Sequence, residues 1–491
     1  MAARPPAASD RQVIEEARPK CEASPRWIVA LYAVGLFLVV AGARTWLVGR
    51  YGSDVPFWDQ WDAEGAFLYL PYLDGSLSLR ALFAAWHEHR ILFSRLLALA
   101  LLLSNGQWDA RLQMLVNSLL YSLVPCFLFV LLARSRGRIF AAAWTVVLAL
   151  VFALPFGWEN TLAGFQSSIY FLVALSMGSM SILVNGAAGS PTWWVGLGLA
   201  FASLFSMGSG VMAAAAVLGF TLAAATRARS VAGLREWGPT AVAAGSLVAL
   251  ALLLSVTEAR HASLRAHGPM EFLSALAYGA AWPVRWSPWA CINWLPCGLL
   301  GVGYVSRHVP DGRAERSALV LGLWVLLQMS AVAVLRAWGA SASRYTDLLA
   351  LGLLANFLAA WSLLASGGAA RRVGLVLFCV WIGGAAYGLG TSGSLAEAAS
   401  RKRSYDVETY NAAGYVATGD VRFLSAAQNR LDVPYPDAAR LRTLLDTPEL
   451  RAILPAGIRL PVDVRPEPPG TPLHRRPSVP DLQPPHPWER L

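Results

Sequence analysis

Long apolar stretches of membrane-span length, a scarcity of charge, and arginines gathered in the gaps between those stretches predict an all-α fold. The architecture expected is a polytopic transmembrane helical bundle of about 11 spans plus a membrane-entering segment, carrying a small helical extracytoplasmic C-terminal appendage. Of the 491 residues, 14% are charged and 56% are apolar, and the mean hydropathy is +0.47. Soluble domains carry about 25% charge. A water-soluble chain of this composition would expose too much apolar surface, which excludes a soluble enzyme, a disordered chain and a disulfide scaffold. The net charge of +10 does not point to nucleic acid. The basic residues are almost all arginine, with Lys20 and Lys402 the only lysines, and they punctuate apolar runs instead of lining one phosphate-tracking face.

Taken in order, residues 1–26 form a polar tail with Arg4, Arg11, Arg18, Lys20 and Arg26, expected in the cytoplasm. The first apolar run goes from Trp27 to about Val48. Its Ala41-Gly42-Ala43 imitates a signal-peptidase site, but the preceding segment is long and carries Asp10, Glu15, Glu16 and Glu22, so the helix reads as an uncleaved anchor. Residues 49–90 form the first extracytoplasmic loop. The 91–104 stretch is apolar but short and contains Arg95; a full crossing there would put the Arg134 cluster outside, so both its ends are expected on the outer side. Further spans read at 112–133, 139–155, 168–185, 192–206, 209–226, 239–256, 289–305, 317–337, 345–365 and 373–390. The clusters Arg134/Arg136/Arg138, Arg227/Arg229/Arg235, Arg307/Arg313/Arg316 and Arg371/Arg372 then all fall on the cytoplasmic side. The transmembrane domain is 27–390. Residues 391–465 read as a charged, helical unit with Asp437 and Thr447 as helix caps and Pro448 at a first helical position. Residues 466–491 hold too many prolines for a packed core and read as disordered. Cys291 and Cys297 read as two packing thiols rather than a bridge.

The polar residues that break this background gather on the outer side. Asp59 and Asp62 are three apart, so on a helical turn both carboxylates face one way, bracketed by Trp58 and Trp61. Carboxylates beside apolar bulk have their pKa values pushed apart, which suits a general base or an ion ligand; a solvated acidic loop is the plain alternative. The loop ends in His87, Glu88, His89 and Arg90. That string suits phosphate or substrate contact, or a divalent ion held by His87 and His89 with Asp59 or Asp62, although one His-x-His pair is a weak metal signal. An interfacial anchor is the alternative there. Glu159, Asn160 and Gln166, set among Trp158 and Phe165, suit a sugar-contact surface, or else a helix-end cap. Arg344, with Tyr345 beside it, opens a helix and suits a clamp on a lipid-linked phosphate or a surface anchor. Gly208-Ser209-Gly210 interrupts an apolar stretch, where a helix N-terminus would face an anion or small residues would pack. The 257–288 loop adds Arg260, His261, Arg265, His267 and Arg285, basicity without a motif.

The inside N-terminus, the first helix, a large first outer loop with paired acids, the further helices and an outer C-terminal unit resemble the GT-C glycosyltransferases. The Trp-Asp-Gln-Trp-Asp, His-Glu-His-Arg-Ile and Trp-Glu-Asn…Gly-Phe-Gln stretches are similar to those of bacterial membrane proteins grouped near that superfamily. The resemblance covers 27–390 and implies sugar donors linked to polyprenyl phosphate, used at the outer face with an acid of the first loop as base. That role falls on Asp59 and Asp62. The expected function is therefore a membrane glycosyltransferase acting on an extracytoplasmic glycan, lipid or protein acceptor. No cofactor is expected, and a divalent cation is left open. Donor, acceptor and membrane lipids are the expected partners, and the bacterial inner membrane the expected place, with the N-terminus cytoplasmic and the C-terminus extracytoplasmic. A non-enzymatic transporter or flippase of lipid-linked glycans is the alternative, but it calls for charges at the bilayer midplane, where Arg95 is the one clear case.

Overall fold

The computed structural model describes residues 25–134, 136–256, 258–365, 368–425 and 433–459. The expected N-terminal tail before residue 25, parts of the helical unit expected at 391–465 and the Pro-rich stretch at 466–491 lie outside the described residues. The first helix, α1 (Arg26–Tyr51), starts after Pro25 and ends at Gly52, where extended backbone carries the chain out. Its 26 residues reach about 39 Å, enough to cross a hydrocarbon layer of roughly 30 Å. Next come α2 (Trp61–Tyr69), wound as a π-helix, α3 (Leu79–Phe83), a two-stranded hairpin pairing Ala85 with Arg90 and Trp86 with His89, and α4 (Leu92–Asn105).

The bundle then runs through α5 (Ala110–Leu132), α6 (Gly137–Ala153), α7 (Ser167–Asn185), α8 (Pro191–Ser203), α9 (Val211–Ala228), α10 (Val231–Leu253), α11 (Pro269–Ala281), α12 (Trp289–Val305), α13 (Arg313–Leu335), α14 (Thr346–Ala365) and α15 (Gly368–Gly390). Among the described residues, nine helical stretches are long and apolar enough to cross a membrane. The spans expected at 192–206 and 289–305 are helices of 13 and 17 residues. They reach about 20 and 26 Å, short of a hydrocarbon layer of roughly 30 Å. The all-α, polytopic character stands, and helix length alone supports fewer full spans than the sequence suggested.

Arginines collect at one end of the bundle. There Arg136 pairs with Glu315, Arg227 reaches the Tyr304 and Val309 carbonyls, Arg307 reaches those of Arg227 and Ala228, and Arg316 pairs with Asp311 at 2.6 Å. The other end gathers the 52–109, 154–166, 204–210, 254–288 and 336–345 segments. In the middle, α14 is buried on every side, as befits a helix apolar all round. Leu31, Leu38, Ile139 and Val242 are exposed on the outer helices, the surface a lipid layer would cover.

A second core lies at the loop-rich end. It joins Trp61, Leu68 and Tyr69 of α2, Ala98 and Leu102 of α4, and Trp108 to Ala412 and Tyr415 of α16 (Ser394–Thr418), Leu441 and Leu444 of α17 (Ala438–Asp446), and Leu450 of α18 (Pro448–Ile453). The first loop and the C-terminal helices are thus packed as one unit. Asp437 caps α17 by accepting the Arg440 N–H, as its position before the helix predicts. Both ends of α4 are tied to this same end: the Leu92 N–H donates to Phe205, and just beyond Gly106 the Trp108 N–H donates to Ile453. Arg95 explains itself here. It is buried, and its Nη1 donates to the carbonyls of Ala81, Leu82 and Ala84 at 3.0, 3.0 and 2.5 Å, satisfying the orphan end of α3. Cys291 and Cys297 are free thiols, Cys297 buried.

Candidate functional site

After α1 the chain folds back over the loop-rich end and turns at Trp58, whose backbone stands in the left-handed region at φ 47°. The Trp58 N–H donates to the Pro434 carbonyl at 2.7 Å, so the residue before Asp59 is held by the C-terminal unit. Asp62, one turn later, accepts from Tyr435 Oη at 2.6 Å and from Arg440 Nε and Nη2 at 3.0 and 2.6 Å. Between these anchors the Asp59 carboxylate makes no hydrogen bond or ion pair with any described residue. Asp59 is open to solvent, yet surrounding protein strips enough water from it to raise its carboxyl above the ordinary carboxylate range. Asp59 is thus reached by solvent but crowded by protein. His87, Arg344 and His261 pull the value back down, while the charge of Asp62 pushes it up. The two acids are therefore not equivalent: Asp62 is neutralised by the C-terminal unit and Asp59 is left open.

The hairpin brings the next group of residues toward Asp59. His87 sits at its turn with φ 50°, its ring 5.0 Å from that of His261 and its Nδ1 3.4 Å from Glu258. Left-handed backbone at a Trp and a His costs about 1–3 kcal/mol each and persists where the surroundings over-determine it. Glu88 faces Arg336 Nη2 at 3.1 Å and His261 Nδ1 at 2.8 Å. Burial disfavours its charge, but those bonds and the Arg336 cation win and draw the carboxyl down to about 2. His89 is driven the other way: burial pushes it down to about 4, so at neutral pH its Nδ1 is free to accept the Gly208 N–H at 3.2 Å. A Cβ at Gly208 would stand 2.7 Å from the Glu88 carbonyl and 2.9 Å from His89 Nδ1, which is why a glycine interrupts the apolar stretch there. Arg90 is turned to backbone, donating to Phe83 and Leu254 carbonyls at 2.9 and 3.3 Å.

The third element is the turn that opens α14. Glu159 accepts the Arg344 N–H at 2.8 Å, and Asn160 Nδ2 donates to the Arg344 carbonyl at 2.7 Å and to Asp347 at 2.8 Å. Both residues thus grip the turn by its backbone. Asp347 is paired in turn with Arg44 of α1 at 3.0 Å, and both are buried. Arg44 also donates to the Phe152 carbonyl, Thr161 and Tyr170, and lies 4.1 Å above the Tyr121 ring. Any side chain at Gly157 would collide with Asp347, its Cβ only 2.4 Å from Oδ2. This scaffold leaves Arg344 an exposed residue whose guanidinium is crowded by protein, 5.7 Å from the Tyr345 ring and with no ion pair to a described residue. Gln166, half-buried before α7, caps nothing with its side chain.

Three loops therefore bring Asp59, His87, His261 and Arg344 within electrostatic reach of one another. Two indole donors, Trp58 Nε1 and Trp86 Nε1, are buried beside them without a partner. Among the described residues no three of His, Cys, Asp and Glu converge as metal ligands. The sequence reading passed over Arg44 and Asp347, Arg336, and Glu64, a buried carboxylate held by Gln60, Gln113 and Trp108 at 2.8, 2.8 and 3.0 Å. The available signal was charge inside or beside an apolar run, which demands a partner wherever it occurs. No family model, no curated protein and no solved structure matches this chain.

Proposed function

We propose that this protein is a membrane glycosyltransferase that moves a sugar from a polyprenyl-phosphate donor to an extracytoplasmic glycan, lipid or protein acceptor, with Asp59 as the base. The carrying observation is a solvent-accessible carboxylate without a hydrogen-bond partner among the described residues, its pKa raised by the surrounding protein, within electrostatic reach of Arg344, which makes no ion pair with a described residue. In the step envisaged, the acceptor hydroxyl gives its proton to Asp59 as its oxygen bonds to the anomeric carbon. The bond from that carbon to the phosphate oxygen breaks, and the polyprenyl phosphate leaves with the electron pair, inverting the centre. Arg344 faces the developing phosphate charge, with His87 and His261 beside it, and donors fixed before the reaction are worth most there. The raised Asp59 pKa suits a base, because proton transfer is most effective when the two partners' affinities approach one another. The unsatisfied indole donors suit sugar hydroxyls, and the aromatic rings around them suit sugar faces. On this reading the loop-rich end is extracytoplasmic and the arginine end cytoplasmic, in a bacterial inner membrane.

The test is turnover of a radiolabelled polyprenyl-phosphate sugar by the purified full chain with membrane extract as acceptor source. Transfer is expected in the wild type and should fall about 10²-fold or more in Asp59→Asn, the range for a lost general base, at unchanged expression. Donor that stays intact across hexosyl and pentosyl forms, or an Asp59→Asn protein as active as the wild type, would overturn the reading.

A further inference from the structure

The C-terminal unit touches the strand of chain that carries Asp59 from both sides. Upstream, the Pro434 carbonyl takes the Trp58 N–H at 2.7 Å. Downstream, Tyr435 and Arg440 close on Asp62 with three bonds between 2.6 and 3.0 Å. All three groups come from one short stretch, the entry to α17, and Tyr435 and Arg440 lie 373 and 378 residues along the chain from Asp62. Packing in the second core does not require this arrangement. Leu441, Leu444 and Leu445 already bury α17, while Arg440 is on its polar side and partly exposed. What the three contacts have in common is Asp59, the one residue between Trp58 and Asp62 whose acidic group is left open.

We infer that Tyr435 and Arg440 are positioning residues for Asp59: together with the Pro434 carbonyl they fix the turn that carries it, and through Asp62 they offset a negative charge that acts on it. The inference rests on the reading of Asp59 as the working base, but its geometry is independent of which group is transferred. The titratable and charged groups facing Asp59 are His87 of the hairpin, His261 of the 257–288 loop, Arg344 of the α14 turn, and Asp62 and Tyr435. Among the described groups that act most on Asp59, Asp62 is the carboxylate, and it discourages ionisation there. Arg440 is its counter-ion. Without Arg440 the full charge of Asp62 acts on Asp59, and the proton is held to higher pH.

The experiment labels the full chain in detergent with a carbodiimide and glycine methyl ester across a pH series, reading modification of Asp59 by peptide mass spectrometry against exposed Asp74. Asp59 is solvent-accessible, so the reagent can enter. Arg440→Ala should move the Asp59 labelling midpoint upward by roughly one pH unit, the lower end of what a nearby charge does to a carboxylate. Arg440→Lys, which keeps the charge, should restore the wild-type midpoint. Asp62→Asn should move it downward, and adding Arg440→Ala to Asp62→Asn should change nothing further. Tyr435→Phe should give a smaller upward move and decides the matter if Arg440→Ala fails to fold. An unmoved midpoint in these variants overturns the inference, as does an Arg440 effect that persists without Asp62. Labelling needs no turnover, so the two readings fail separately. Midpoints that move in a protein that transfers no sugar keep the inference and remove the glycosyltransferase; sugar transfer with fixed midpoints does the reverse.

Discussion

Arg344 and Asp59 are placed chiefly through the backbone around them. Glu159 and Asn160 grip the Arg344 turn, and Pro434 grips Trp58, one residue before Asp59, while the two charged groups lie within electrostatic reach of each other. An arginine that merely anchors a helix end can be exchanged for lysine, since both side chains snorkel and carry charge. A planar fork clamped on a phosphate cannot. Arg344→Lys should therefore weaken donor use by about 1.5–3 kcal/mol, the range for a charge-assisted bond, and Arg344→Ala by at least as much. Donor KM and kcat of both variants, at equal membrane insertion, provide the check; unchanged kinetics in the lysine variant would make Arg344 an anchor. At this scale Asp59 and Arg344 were legible because a charge among aromatics near an apolar run stands out. The different fates of Asp62, Glu159, Asn160 and Arg90 were not. Each is taken up by a partner 164 to 378 residues away, and no local pattern encodes such pairs.

Among the elements, α2 is the one whose internal chemistry has a measurable signature. Burial raises Glu64 from 4.5 to about 7, opposed by hydrogen bonds from Gln113, Gln60 and Trp108. The folded chain thus holds a proton at a pH where the unfolded chain has released it. Stability from this group is full below about pH 4.5 and falls as pH rises toward 7, by about 3 kcal/mol over the window. Glu64→Gln should lose that decline, so the advantage of the wild type over the variant in thermal unfolding, recorded from pH 4.5 to 8, should shrink as pH rises. Parallel curves would show that the three donors keep Glu64 ionised despite its burial. Helix positions were read well wherever apolarity and backbone hydrogen bonding end together, as for α5, α7 and α14. They part at α10, whose helix begins at Val231 through Arg235 and Glu236 although the apolar run starts later. They part again at α8, which ends at Ser203 because Gly210 must sit against the Ser203 carbonyl. The π-winding of α2 has no sequence signal of its own.

For the whole molecule, the alternation of arginine-rich and acid-and-histidine-rich connections proved to be a separation of two ends. In a background lacking the five native cysteines, Ser76→Cys and Ser263→Cys should react with an impermeant thiol reagent in intact cells, while Ser230→Cys and Ser306→Cys should react only after lysis. All four positions are exposed, so silence reports sidedness and not burial; the opposite pattern would invert the molecule in its membrane. The union of the first loop with the C-terminal helices into one core was beyond the sequence, because their apolar faces are separated by the entire bundle. The pair formed by Arg44 and Asp347 spans a similar distance, 303 residues. Chains are made from the N-terminus, so α1 enters the bilayer while the ribosome has yet to reach its counter-ion. An unpaired arginine at that depth stretches toward the headgroups, and only the arrival of α14 lets it draw inward. A nascent chain halted before residue 347 therefore carries Arg44 without the counter-ion that it meets in the folded bundle.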